Sequence, residues 1–586
     1  MRGVIVLAGV VAYMILSAGD HVTAVRLSVL ATIGVFVGLA FWHSRVLRRR
    51  KRHSQYLVIK QQHLARLHRE WESIPHIQSD HVSAEHPFES DLDLFGPRSL
   101  HHLIDTSFSV EGSALLRGWL TNLNPSSTEA RRKQDLVKDL IPLTGFRDRI
   151  TLETAMIGGP KGSPFEGNVL LKWLENHHFN GRIRLVLSIL GGLAALTIVL
   201  FVLKMTSVIS SSWWVYSLVV YIGVYLLNFR LYGHLFDEAE YLHVQFERVL
   251  PVFHVIESFR FKNDSTLQQV ASNLQKPGAL PSFHARKVMR LAMAAGTQKN
   301  EVLRIVLNLI VPWELFFAFV LEKTKTRLRS RLPVWLEALQ TLEAASSLAT
   351  FANLNPAYSF PTWIEKEDGK KLFEAEQLGH PLIPASVQVC NDFKINQVHD
   401  LTLITGSNMS GKSTFLRTVG INIALATAGG PVNAVRMEVA PLRVFTCIRV
   451  ADSVNDGISY FYAEVKRLKR MLTELERDAG SGSEYPLIYF IDEVFRGTNN
   501  RERLIGSREL LRQMCVLNGT GLVSTHDLDL TALADEMEGV TNFHFREYIE
   551  GSKMTFDYRL HDGPSPTTNA LTIMEMEGLI TREPEL

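Results

Sequence analysis

Residues 401–414 read LTLITGSNMSGKST, an apolar five-residue run that opens directly into G-x-x-x-x-G-K-S. The run Leu401–Thr405 predicts a short buried strand and the residues after Gly411 predict a helix, the context a phosphate-binding loop requires. Gly406 and Gly411 let the backbone wrap phosphates. The amides of Ser407, Asn408, Met409 and Ser410 and the helix N-terminus add positive partial charge. In that frame Lys412 reaches the β- and γ-phosphates of a nucleoside triphosphate, and the Ser413 hydroxyl, beside Thr414, ligates Mg²⁺.

Two later strands complete the pattern. Pro486–Ile491 (PLIYFI) is apolar and ends in Asp492-Glu493. A carboxylate at a buried strand end holds magnesium through its water shell, so Asp492 is the expected metal residue. Glu493 is suited to orient or deprotonate an attacking water. Gly521–Thr525 (GLVST) then delivers His526, placed to hydrogen-bond a γ-phosphate; a purely structural histidine is the alternative. The expected ligands are ATP and Mg²⁺.

The rest of the chain sets the surroundings. Across 586 residues, 62 basic side chains face 60 acidic ones, a net charge of +2, so no global field draws the chain to nucleic acid. Cys390, Cys447 and Cys515 show no CxxC spacing, which argues against a disulfide framework or a zinc site.

Four apolar runs suggest membrane spans. Gly3–Ala18 and Leu27–Trp42 carry no charge and are followed by Arg45, Arg48, Arg49, Arg50, Lys51 and Arg52. A cleavable signal peptide competes for the first run, and the second run directly after it favours a hairpin. Leu185–Leu203 and Trp213–Phe229 form a second pair, with Arg182 and Arg184 before it, Arg230 after it and Ser210, Ser211 and Ser212 in its turn. Basic residues outside both hairpins put both termini and the ATPase in the cytoplasm. Ile305–Leu321 is also apolar, but Asn308, Pro312 and Glu314 are costly in lipid. It is expected as a buried helix of the soluble part.

Residues 231–352 have helical periodicity throughout, with breaks expected at Pro251, Pro277–Gly278, Pro281 and Pro333. A lever or an ordinary helical domain fits equally. Lys323, Lys325, Arg327, Arg329 and Arg331 form a basic run that meets phosphate or makes a solvated helix face.

The nucleotide-site residues resemble the MutS mismatch-repair family. TGSNMSGKSTFLRTVG (405–420) is similar to its nucleotide loop, with Ser407 where the family usually has Pro and Ser410 where it has Gly or Ala. DEVFRGTNNRE (492–502) is similar to its Asp-Glu…Arg-Gly-Thr segment, and STHD (524–527) to its histidine switch. Residues 452–464 resemble the segment that serves as ABC signature. That resemblance implies that Ser459 completes the partner subunit's ATP site and hence a homodimer through the ATPase domain. It also implies that Asn391, ahead of the phosphate-loop strand, positions adenine. Residues 92–120 and 335–352 resemble the opening and the closing helix of the core-lever domain. A membrane hairpin and linker stand where a mismatch-reading domain is expected, so the ATPase engine carries over and mismatch reading does not.

The expected organisation is multi-domain: a C-terminal α/β ABC-type P-loop ATPase, an all-α core and lever, and two transmembrane hairpins. The expected boundaries are 1–52 first hairpin and basic flank, 53–182 N-terminal core, 183–230 second hairpin, 231–365 lever and 366–586 ATPase. Two functions fit: a membrane-anchored, DNA-binding, nucleotide-switched dimer, or a membrane-coupled ATPase switch acting on a protein partner without DNA. Four short spans without intramembrane ionisable residues disfavour a transporter.

Overall fold

The computed structural model describes residues 10–566 except 12, 16–21, 76–82, 84, 158–163, 176–181, 229–234, 297–300, 366–370, 450–459, 482–484, 496–498 and 551–552. Helix α1 (Val22–His68) is a single 47-residue rod that holds the second expected span and runs on past the basic cluster. Of the first expected span only Val10, Val11, Tyr13, Met14 and Ile15 are described, as exposed helix; the rest lies outside the described residues. At its far end α1 is tied into the helical body. Lys60 Nζ meets Asp148 Oδ2 at 2.6 Å on α5 (Thr144–Ile157), and the buried Arg66 guanidinium donates to the carbonyls of His102, Leu103 and Asp105. Those carbonyls lie at the end of the short helix α2 (Leu100–Ile104).

Between α2 and α5 stand α3 (Val110–Leu120) and α4 (Ser127–Leu140), and α6 (Gly167–Glu175) follows. Ser109 and Ser126 cap α3 and α4, each accepting an amide from the first turn. Next come α7 (Arg182–Met205) and α8 (Trp213–Leu227), an antiparallel pair joined across the serine-rich turn. The Thr197 and Ser217 hydroxyls meet at 2.8 Å between them. Two described helices, α1 over Val29–His68 and α7 over Ile183–Met205, are long and apolar enough to cross a membrane; α8, at 15 residues, falls short.

The lever region forms six helices: α9 (Leu235–Ser258), α10 (Thr266–Gln275), α11 (Pro281–Gly296), α12 (Glu301–Ile310), α13 (Trp313–Leu328) and α14 (Leu332–Leu354). Two expectations are corrected. Pro251 does not break α9, because burial of Val249, Val252, Phe253 and Ile256 holds the helix together around the missing amide. Ile305–Leu321 is not one buried helix. It breaks at Val311–Pro312 into α12 and α13, leaves Ile305, Val306, Leu309, Ile310 and Phe316 exposed, and packs Leu315 into the α7–α8 pair. Pro312 lacks the amide that would continue α12, and the Asn308 side chain accepts the Glu314 N–H instead. Helix α14 is the centre of the body: fourteen of its side chains, Trp335 through Phe351 among them, are buried.

The C-terminal region holds two sheets. Strands β1 (Thr362–Trp363), β5 (Arg436–Val439), β2 (Phe373–Leu378) and β3 (Asn391–Ile395) lie in that order in the first. The second has the order β10-β9-β4-β8-β7-β6. It comprises β4 (Leu401–Thr405), β6 (Arg443–Cys447), β7 (Leu487–Asp492), β8 (Gly519–Ser524), β9 (Val540–Glu550) and β10 (Lys553–Asp562). All its pairings are parallel except β9 with β10. Strands β4, β7 and β8 are buried along their whole length, the reading that unbroken apolar runs give for a parallel sheet covered on both faces. Helix α15 (Lys412–Thr427) follows β4, α16 (Tyr460–Ser481) precedes β7 and α17 (Asn500–Cys515) follows it. One hydrophobic core runs without interruption from the lever helices through α15 to one face of the sheet; α16 and α17 cover the other.

Candidate nucleotide-binding site

Neighbouring parallel strands end at the same edge, and that edge gathers the expected residues. Thr405 ends β4, Asp492 ends β7 and Ser524 ends β8. The loop after β4 turns at Gly406 (φ +145°) and Gly411 (φ +109°), values open to glycine. A Cβ on Gly406 would stand 2.9 Å from the Phe545 carbonyl. Met409 adopts φ +68° at the exposed loop tip. Helix α15 then starts at Lys412 with no side-chain cap. Its first amides therefore face the loop.

Lys412 Nζ donates to the carbonyls of Gly406 and Ser407, both at 2.8 Å. The ammonium thus lies folded over the loop, where phosphate oxygens would take the place of those carbonyls. Ser413 Oγ donates to Asp492 Oδ2 at 2.8 Å, and Ser524 Oγ donates to Asp492 Oδ1. A hydroxyl and a carboxylate this close supply two hard oxygen donors to one point. Magnesium, which keeps most of its water, needs no more from protein.

Glu493 follows in the left-handed region (φ +59°), its amide bonded to the Ser524 carbonyl. That conformation is uncommon outside glycine and costs strain. It turns the side chain toward His526, whose Nδ1 stands 3.4 Å from Glu493 Oε1. Phe495, also left-handed (φ +58°), donates its amide to Glu464 Oε1 at 2.7 Å. Glu464 is buried on α16 and so ties the post-Asp492 loop to the helix that leaves residues 452–459.

A cavity of about 860 Å³ joins these groups to an apolar end. Its lining includes Gly411–Thr414, Asp492 and Glu493 together with His380, Ile383, Val389, Phe545 and Tyr558. Burial drives the His380 pKa down to about 4, so its ring is neutral at physiological pH. Asn391 also lines the cavity. Its amide is engaged on both sides by β10, donating to the Tyr558 carbonyl at 3.0 Å and accepting from Leu560 N at 2.7 Å. Ser459 and Arg496–Thr498 lie outside the described residues.

One buried residue escaped sequence reasoning. Asp91, fully enclosed, accepts from Thr446 Oγ1 (2.7 Å) and the amides of Ile448 (2.9 Å) and Arg449 (3.3 Å); its own carbonyl accepts from Arg417 Nε at 3.0 Å. Arg417 sits on α15, one turn past the phosphate loop. The N-terminal core therefore grips the nucleotide-site helix directly. An acid opening the D-L-D-L stretch 91–94, with the buried Leu92 and Leu94 after it, was the available signal.

Comparison with known proteins bears on the C-terminal region. Residues 402–582 match the family model described as MutS domain V. Within those residues the chain carries a MutS domain V. It is similar to the DNA mismatch repair protein MutS of Geobacillus thermodenitrificans, 31% identical over 274 residues, which is 46% of this chain and 28% of that protein. The chain thus spans little more than a quarter of that relative's length. The MutS domain V match begins at Thr402 in β4 and covers the phosphate loop, Asp492, Glu493 and His526.

Proposed function

We propose that this chain with its MutS domain V binds and hydrolyses ATP with Mg²⁺ and works as a nucleotide-switched homodimer seated at a membrane. The observation that carries the reading is the convergence of Lys412, Ser413, Asp492 and Glu493 on one cavity at the parallel-sheet edge. Asp492 and Ser413 would hold Mg²⁺, which when bound offsets phosphate charge. Lys412 exchanges loop carbonyls for β- and γ-phosphate oxygens. Glu493 orients and deprotonates the attacking water. His526, against Glu493, holds that carboxylate and can donate to the γ-phosphate. Ser459 of the partner subunit is assigned to close the site across the dimer. Tyr558, His380 and the β10-braced Asn391 frame the end suited to the base.

The four runs are read as two hairpins with the ATPase and both termini cytoplasmic, where ATP is available. Two observations favour coupling between membrane and nucleotide. Lever residues Asn308, Glu314 and Leu315 pack directly on α7 and α8, and α14, which continues from α13, reaches Gly430 through Leu348, just after the phosphate-loop helix α15. A protein partner without DNA fits this arrangement. DNA binding is the second reading, supported by the similarity to the Geobacillus DNA mismatch repair protein and by exposed Lys323, Arg327 and Arg329.

The test is ATP hydrolysis by detergent-solubilised protein, with and without duplex DNA, at two salt concentrations. Stimulation that fades with salt supports the DNA reading, and a rate indifferent to DNA supports the partner reading. Absence of Mg²⁺-dependent hydrolysis under every condition would refute the proposal.

A further inference from the structure

Helices α12 and α13 carry an apolar surface that a water-facing lever does not need. Ile305, Val306, Leu309, Ile310 and Phe316 are between 43% and 63% exposed. A contiguous patch of this kind marks an interaction surface. On the other side the pair is locked to the α7–α8 hairpin. Tyr221 Oη donates to the Asn308 carbonyl at 2.6 Å, Tyr225 Oη donates to Glu314 Oε2 at 2.8 Å, and Leu315 is buried among Ile183, Leu190, Ala194 and Tyr221. The Val311–Pro312 break faces an apolar hollow of about 400 Å³ that Leu187 and Gly191 of α7 also line.

We propose that α12, the Val311–Pro312 break and α13 form a re-entrant hairpin. It would dip into the leaflet at the Arg184 end of α7, with the exposed face on lipid acyl chains and the exposed Lys323, Arg327 and Arg329 on anionic headgroups. This rests on the reading of α7 as a membrane span. Gly191 lies nine residues along α7, about 14 Å from Arg182 at 1.5 Å per residue. Half of a hydrocarbon core is about 15 Å, so the break reaches the depth of one leaflet and stops. The return path agrees. Helix α13 climbs the same 14 Å or so from Trp313 by Glu322, one residue before the basic run opens at Lys323. On the way the Arg184 guanidinium lies 5.9 Å over the Phe319 ring, at the level where α7 begins.

Two further observations fit lipid as the occupant. The exposed face continues into that of α7 and α8, where Leu185, Ile189, Val199, Val202 and Val219 are exposed as well. Irregular backbone survives in hydrocarbon when its polar groups are satisfied by protein. At the break, Val311 N bonds the Leu307 carbonyl, Trp313 N the Val311 carbonyl and Glu314 N the Asn308 side chain, while Tyr221 takes the Asn308 carbonyl. Proline itself brings no amide.

The experiment uses full-length protein in phosphatidylcholine–phosphatidylglycerol liposomes, spin-labelled at one cysteine at a time in a Cys390→Ser background; Cys447 and Cys515 are buried. Labels at Ile310→Cys and Phe316→Cys should collide with oxygen more than with aqueous nickel chelate, as should Val202→Cys on α7. Val334→Cys on α14 should show the reverse. Thr326→Cys should be relaxed by a nickel-chelating headgroup lipid. If 310 and 316 are as wet as 334, or shielded from both reagents as a protein partner would make them, while 202 remains in lipid, the re-entrant hairpin is wrong and the span stands. If 202 is wet too, the membrane reading of α7 fails first and takes this inference with it. Loss of the headgroup effect at 326 on adding duplex DNA would give the basic run to nucleic acid and overturn its headgroup assignment.

Discussion

Under the proposed function, Lys412 and Glu493 make separable demands on one nucleotide. Lys412→Ala removes the single ammonium aimed at the phosphate loop's interior, so ATP affinity should fall by tenfold or more in a fluorescent-nucleotide titration. An unchanged affinity would remove the lysine from the site. Glu493→Gln keeps the shape and the left-handed turn but loses the base. Binding should persist while turnover drops about 10²- to 10⁴-fold, and normal turnover would exclude Glu493 as the base. Asp91 acts at a distance. Asp91→Ala strands the Ile448 amide in the core, while the Thr446 hydroxyl keeps the Pro87 carbonyl at 3.0 Å, and costs about 2 kcal/mol, seen as a lower denaturation midpoint; an unshifted midpoint would mean that water replaces the carboxylate. The phosphate loop and the Asp492–Glu493 pair were legible in sequence because loop spacing and strand-end chemistry are local. Asp91 was not, since its partners Thr446, Ile448 and Arg449 lie more than 350 residues away.

At the scale of elements, the junction between α3 and α14 holds one buried carboxyl group within its apolar packing. Glu343 is buried on α14. It accepts the amides of Phe108 and Ser109 at 2.9 Å each and the Ser109 hydroxyl at 2.5 Å. Burial outweighs these donors and pushes its pKa up to about 7, with Asp105 adding to the rise. Because the folded state holds this proton more tightly than the unfolded chain, stability from Glu343 is greatest at low pH. It declines as pH rises from about 4.5 to about 7 and is flat above. Glu343→Gln should abolish that slope in urea midpoints measured across the interval, and a slope that survives would assign it elsewhere. Helical periodicity announced α9 to α14 but mistook Pro251 for a stop and α12–α13 for a core helix. Periodicity reports which residues are apolar, and it does not report whether protein or lipid is to cover them.

Taken whole, the molecule joins its parts through continuous helix and shared core, with no flexible linker between lever and sheet among the described residues. The MutS domain V was legible because its strands are short apolar runs with chemistry at their ends. The α7–α8 pair was legible by hydropathy. How the two connect was not, because buried contacts such as Tyr221–Asn308 leave no pattern in one sequence.

The unbroken rod α1 has a consequence of its own. A helix turns about 100° per residue, so every side chain from Val22 to His68 has a fixed angular phase relative to the salt bridge at Lys60. One alanine inserted between Val46 and Leu47 should swing the apolar segment by about 100° against the body, while seven should bring it back to within about 20°. Interspin distances from labels at Val37→Cys and Phe41→Cys to a label on the helical body should therefore change unequally with one extra residue, whereas seven should lengthen both by about 10 Å, the added rise alone. Broad, unshifted distance distributions in both would mean that the rod hinges, and that its two ends keep no common thread.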